Sequence, residues 1–182
     1  MRWPTKKERE NLEIQGFIKE YKRLPHGRSF IVEEEGENPD RIVRDINTNE
    51  KFGIELTSVY LNDRSVPDTH MREGGSFIPF NQSEIEQYER RILASIVDKV
   101  CKARHHYKKE FPLILSVYVN EYISVHMGLE YWKSFASQYN ILFDCVTPFE
   151  EIVFWPLPSH DKSQPFVGLH IARVRIGGIF LE

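Results

Sequence analysis

The chain has 182 residues, 41% of them hydrophobic and 13% aromatic, so it can bury the core of one domain without a disulfide or metal staple, and global disorder is excluded. Its 24 Lys and Arg against 27 Asp and Glu give a formal net charge of -3, which excludes a uniformly basic nucleic-acid binder but leaves room for a local basic groove. Two cysteines, Cys101 and Cys145, make no framework and read as buried free thiols. No apolar signal core opens the sequence, and no stretch approaches the ~20 apolar residues of a membrane span. These features point to a cytoplasmic protein with no membrane association.

In chain order, the spacing predicts a first helix over 5–24. Thr5 and Glu8 form a capping-box pair, Ile14, Phe17, Ile18, Tyr21 and Leu24 recur at helical spacing, and Pro25 stops the run. Phe30-Ile31-Val32 is a short strand that leads into the acidic run 33–37. After Asn38-Pro39, a strand over 41–46, a turn over 47–50 and a strand over 51–60 read as a hairpin. Residues 61–83 form a long polar connection carrying Pro67, Gly74, Gly75 and Pro79, either a binding-site lid or a solvated insertion. Ser83 with Glu86 is expected to cap the longest helix, which runs to about Tyr107. Pro112 precedes an apolar strand over 113–119. A third helix over 129–139, a short strand over 141–145, and strands over 151–155 and 167–176 complete the chain. This order predicts an α/β fold with a mixed central sheet flanked by helices, in a single domain over 1–182.

The chemistry is concentrated in Pro39-Asp40 and Gly53-Ile54-Glu55-Leu56-Thr57. A hairpin turn centred near Thr48 pairs positions whose numbers sum to about 96, placing Asp40 near Leu56 and Glu55 near Arg41. Asp45 is the competing acid, but it lies roughly 13 Å from the level of Glu55 at strand rise. Alternation puts Glu55 and Thr57 on one strand face and Ile54 and Leu56 on the other. One face can then pack while the other presents oxygen ligands. A hard divalent cation takes one or two carboxylates plus substrate phosphate oxygens, and it activates water against a phosphodiester. The competing reading is a pair of solvated strand-edge acids.

Pro39-Asp40, the hairpin and Glu55-Leu56-Thr57 resemble the motif of the PD-(D/E)XK nuclease superfamily. The element order over 5–119 agrees with its restriction-endonuclease-like αβββαβ core, leaving 120–182 to supply an additional helix and strands. The resemblance implies a nuclease that uses Mg²⁺ (or Mn²⁺) to hydrolyse phosphodiester bonds in DNA, with Asp40 and Glu55 as metal ligands and nucleic acid as partner. A homodimer is left open. The motif lysine falls at Thr57, whose hydroxyl can only position a water or ligand by hydrogen bonding.

Some members of the superfamily carry that lysine on the following helix. There Ile85, Ile92, Ile96, Val100 and Ala103 define an apolar stripe with Lys99 at its edge and Lys102 further toward solvent. Lys99 is thus the candidate for stabilising the phosphate, against the alternative of an edge lysine snorkelling from its helix. Members also often place an acid on the first helix, aimed at the site. Glu10 lies within that helix's apolar stripe and is the expected supporting residue, with Glu13 second; the alternative is a first-turn acid suited to the helix dipole. Lys99, Lys102, Arg104, Lys108 and Lys109, with His105 and His106, form a basic cluster that could meet phosphates or simply suit a helix C-terminus, and Arg173 and Arg175 share a strand face that could line a groove or face solvent. The sequence has no P-loop, no dinucleotide fingerprint and no Gly-x-Ser-x-Gly elbow. Thr57 in the lysine's place also supports a catalytically inactive module of the same fold that binds nucleic acid or protein. A third reading is an unrelated α/β domain whose Asp40 and Glu55 are surface acids.

Overall fold

The first helix starts where its cap dictates. In the computed structural model, which describes residues 5–59, 81–107, 110–119, 127–144, 148–158 and 166–173, the Thr5 hydroxyl accepts from the Glu8 N–H while the Glu8 carboxylate accepts from the Thr5 N–H. Helix α1 (Lys6–Tyr21) follows. Strands β1 (Phe30–Glu35), β2 (Arg41–Asp45) and β3 (Lys51–Val59) come next, then α2 (Gln82–His106), β4 (Leu113–Val119), α3 (Leu129–Asp144), β5 (Glu151–Pro158) and β6 (Phe166–Arg173). The chain is therefore α/β, and among the described residues no helix is long and apolar enough to cross a membrane.

The strands form one mixed sheet in sequence order, β1 through β6. β1–β2, β2–β3 and β5–β6 pair antiparallel, whereas β3–β4 and β4–β5 pair parallel. Two parallel steps in the same direction, each crossing right-handedly, must carry their helices over one face of the sheet. The core has that form. On one face Tyr88, Ile92, Ile96 and Val100 of α2 and Trp132 and Phe135 of α3 pack with Leu115, Val117, Ile152 and Phe154. On the other, Ile14, Phe17 and Tyr21 of α1 pack with Ile54, Leu56, Ile114, Val153 and Trp155. Gly16 allows this second contact, since a Cβ there would lie 2.7 Å from the Trp155 ring. The Trp155 indole N–H donates to the Ser116 hydroxyl at 2.6 Å.

Several boundaries differ from the sequence reading. Helix α1 ends at Tyr21, short of Leu24, because the chain folds back over its last turn: a Cβ on Gly27 would come within 2.0 Å of the Tyr21 carbonyl oxygen. Helix α2 is capped by Asn81 with Glu84, not by Ser83 with Glu86; the same capping pattern occurs two residues earlier, and Asn81 takes it. Strand β1 runs on through Glu33 to Glu35, where Glu33 is paired with Arg44 and Lys51. The expected strand over 141–145 is instead the last turn of α3 as far as Asp144. Cys101 is exposed, not buried, since it lies one step round the helix from the stripe that holds Val100. Glu20 is buried and paired with Arg23 at 2.7 Å. Cys145, Lys108, Lys109, Arg175 and residues 60–80, most of the expected lid, lie outside the described residues.

The hairpin register is offset by one from the expected pairing. Arg41 opposes Ile54 and Arg44 opposes Lys51, so paired numbers sum to 95. The cause is a loop of even length. The Asp45 N–H donates to the Glu50 carbonyl at 2.9 Å, closing residues 46–49 as the turn, with Asn49 at φ 62°. Pairing ends at Arg41 and Ile54, one residue short of Asp40.

Candidate active site

The site forms where the sheet forks. On the β4 side, pairing of β3 continues to Val59; on the β2 side it stops at Ile54. The next N–H of β3 directed to that side belongs to Leu56, and it donates to Asp40 Oδ2 at 2.7 Å. The acid thus takes the place of a strand partner and is held at the fork by β3 itself. Gly53 makes room for the preceding residue, as a Cβ there would lie 2.7 Å from both Pro39 Cγ and Leu113 Cδ2. The backbone of Asp40 is fixed from the other face. Arg41, only 3% exposed, donates to the Asp40 carbonyl at 2.6 Å and to Asn11 Oδ1 of α1 at 2.9 Å, with Glu10 Oε2 4.0 Å away.

The charges of Glu55 and of Lys99 on α2 both act on the Asp40 carboxyl, which places the two acids together on the α2 side. Glu55 is 2% exposed. Its Oε1 accepts from the Lys99 ammonium, which reaches across from α2. Its Oε2 is sealed from solvent and has no hydrogen-bond partner among the described residues. A buried carboxylate oxygen without a donor is uncommon, because its lost hydration is uncompensated. Tyr107, at the C-terminal cap of α2, closes the pocket. Burial first, then the approach of its hydroxyl to Glu55 and the charges of Glu55, Asp40 and Asp98, push that phenol far up. Asp40 is itself pushed up to about 6. Burial is the main cause and the Glu55 charge the second, while the Leu56 N–H and Lys99 act in the opposite sense and Glu10 adds to the rise. An acid raised by burial and by a neighbouring charge, beside a carboxylate with one oxygen lacking a hydrogen-bond partner among the described residues, could hold a divalent cation. Among the described residues no group of three or more His, Cys, Asp or Glu is arranged to hold a metal ion, so the remaining ligands would come from water and substrate.

Asp40, Glu55 and Lys99 are thus brought together. Thr57 is half-buried one step along β3 on the same face. Glu10 stands at the margin, paired with Lys6 at 3.5 Å and near Arg41. Glu13 is the more enclosed of the two α1 acids; it accepts from the Ser58 hydroxyl, and burial raises it despite that bond. Asp45 is buried in the turn, accepting from the Asn47 N–H and the Thr48 hydroxyl, and plays a local part. Lys102 is exposed and paired with Asp98, and Arg104, His105 and His106 are exposed beyond it.

Sequence reasoning missed Arg41, Tyr107 and a second buried polar cluster. In that cluster Glu151 accepts from the Tyr21 hydroxyl at 2.7 Å and from Arg28 at 2.9 Å, and lies 2.8 Å from His170 Nε2. Glu151 alternates with Val153 and Trp155, so this network occupies the α1 face, opposite Glu55. Its members come from four separated segments with no local signature. No family model, curated protein or solved structure matches the chain.

Proposed function

We propose that the chain is a metal-dependent nuclease with a restriction-endonuclease-like core, acting on phosphodiester bonds in DNA. The observation that carries this reading is the buried Glu55 carboxylate, with Lys99 on one oxygen and no hydrogen-bond partner on the other among the described residues, beside an Asp40 raised by burial and by Glu55. The order α1-β1-β2-β3-α2-β4, antiparallel before β3 and parallel after it, supports the αβββαβ core. Asp40 and Glu55 would hold Mg²⁺ or Mn²⁺, which when bound supplies Lewis acidity toward the phosphodiester and a water nucleophile. The chain's own residues do the rest. The Leu56 N–H fixes one Asp40 oxygen and leaves the other for ligation. Lys99 carries the positive charge that faces a scissile phosphate. Thr57 offers a hydroxyl that orients a water, and Arg41 with Glu10 keeps α1 locked to the motif. The exposed end of α2 beyond Lys102 offers phosphate contacts along the backbone of the substrate.

The test is cleavage of plasmid and single-stranded DNA across a Mg²⁺ titration, with Asp40→Ala and Glu55→Ala prepared in parallel. Metal-dependent cutting by the native chain and none by either variant is the expected result. Equal cutting by the variants overturns the reading. Thr57 in the motif lysine's place favours a second reading, an inactive module of the same fold that binds nucleic acid or protein. It is distinguished by salt-sensitive retention of DNA without cutting under any metal.

A further inference from the structure

We propose that Lys99 is a resident counter-ion of the Asp40–Glu55 pair, and that its ammonium competes with a divalent cation for the same carboxylates. The proposal rests on the metal-dependent reading above and asks what sets the affinity of that site.

The pocket holds two carboxylates and one ammonium. Lys99 reaches Glu55 from one helical turn beyond Ile96, its stem lying along the apolar stripe and its ammonium on Oε1. This ion pair, with the Tyr107 hydroxyl close by, helps bury Glu55 at 2% exposure without a metal, since a charge in such a place needs a partner. The second oxygen has no hydrogen-bond partner among the described residues and is the ligand position it offers. A divalent cation drawn to Oε2 and Asp40 must sit within a few ångströms of the ammonium, in a place where repulsion between like charges is weakly screened. Lys99 therefore stabilises the metal-free fold and weakens metal binding through the same charge. The other basic side chain nearby cannot take its place, as the Lys102 ammonium is engaged by Asp98 at 2.6 Å.

The experiment measures Mn²⁺ binding by electron paramagnetic resonance at fixed pH and ionic strength. It uses the native chain, Lys99→Met, which keeps the stem and loses the charge, Lys99→Gln and Lys99→Arg. Lys99→Met and Lys99→Gln are expected to bind Mn²⁺ about tenfold or more tighter than the native chain, and Lys99→Arg within about threefold of it. Equal or weaker binding by both neutral variants overturns the proposal. Should the neutral variants fail to fold in metal-free buffer, a resident counter-ion requires that Mn²⁺ restore the native circular dichroism, and failure to do so also overturns it. Absence of Mn²⁺ binding by every variant, the folded native chain included, instead overturns the metal-dependent reading.

Discussion

Asp40→Asn separates the electrostatics of the site from its shape. The amide is isosteric with the carboxyl and keeps an oxygen to accept from the Leu56 N–H, but it removes the charge that Glu55 and burial oppose. Asp40 is raised from 3.8 to about 6 in the folded chain, so the folded state retains a proton that the unfolded state releases. Stability from this group is therefore fully present below the unfolded value and is lost as pH rises through the folded one. At about 1.4 kcal/mol per pH unit, the whole effect is on the order of 3 kcal/mol. Asparagine mimics the neutral form at every pH. The variant is expected to be more stable than the native chain by about 1–3 kcal/mol at pH 7.5 in the presence of EDTA, and by only about 0.5 kcal/mol at pH 4. Urea unfolding at the two pH values gives both numbers. It should also lose Mn²⁺ binding, a gain in stability at the expense of a functional site. A variant less stable than the native chain at pH 7.5, or one with the same gain at both pH values, would refute the reasoning, because the strain would then not be electrostatic.

Two other substitutions examine the framework around the site. Gly53→Ala places a Cβ 2.7 Å from Pro39 Cγ and Leu113 Cδ2, so it should cost about 1–3 kcal/mol in urea unfolding and weaken Mn²⁺ binding by displacing Asp40 from the Leu56 N–H. Glu151→Gln removes the charge that Arg28 and the Tyr21 hydroxyl answer on the α1 face, at a cost of about 3 kcal/mol. Mn²⁺ affinity should stay unchanged in that variant, and a loss would mean that the two faces of the sheet are coupled.

Much of the fold was legible because its signals are local and agree with one another. The α1 capping box is four residues of sequence, the stripe from Ile92 to Ala103 is one helix face, and Leu113–Val119 is an apolar run between helices with Ser116 inside it. The errors lie where a local rule had two solutions. Asn81 and Ser83 each stand three residues before a glutamate, and the fold takes the Asn81 cap. A turn centred on Thr48 and one centred between Asn47 and Thr48 differ by half a residue, yet they change the partner of Arg41 from Glu55 to Ile54. Ile141 to Asp144 are apolar enough for a strand, but they follow three helical turns already anchored by Trp132 and Phe135. Arg41 and Tyr107 were not legible as parts of the site. A buried arginine on a strand and a tyrosine at a helix end acquire meaning only from what the fold brings to them.

The lysine that the proposed motif would carry at position 57 has a geometric counterpart that the letters of the sequence hide. A side chain at position 57 and one at position 99 approach the Glu55 carboxylate from different elements, β3 and α2, but within the same space between sheet and helix. In the proposed site the positive charge beside the two carboxylates comes from Lys99 through its ion pair with Glu55, without a lysine at position 57. Delivery from α2 also has a consequence that delivery from β3 would lack. Lys99 lies one turn from Ile96 and beside Val100, so its position depends on the packing of α2 against β4 and α3. Changes in that core, for example Ile96→Val, should therefore alter Mn²⁺ affinity as well as stability, whereas equivalent truncations on the α1 face, such as Ile14→Val, should alter stability alone. Equal effects of the two truncations on Mn²⁺ affinity would show that the charge is not held from α2.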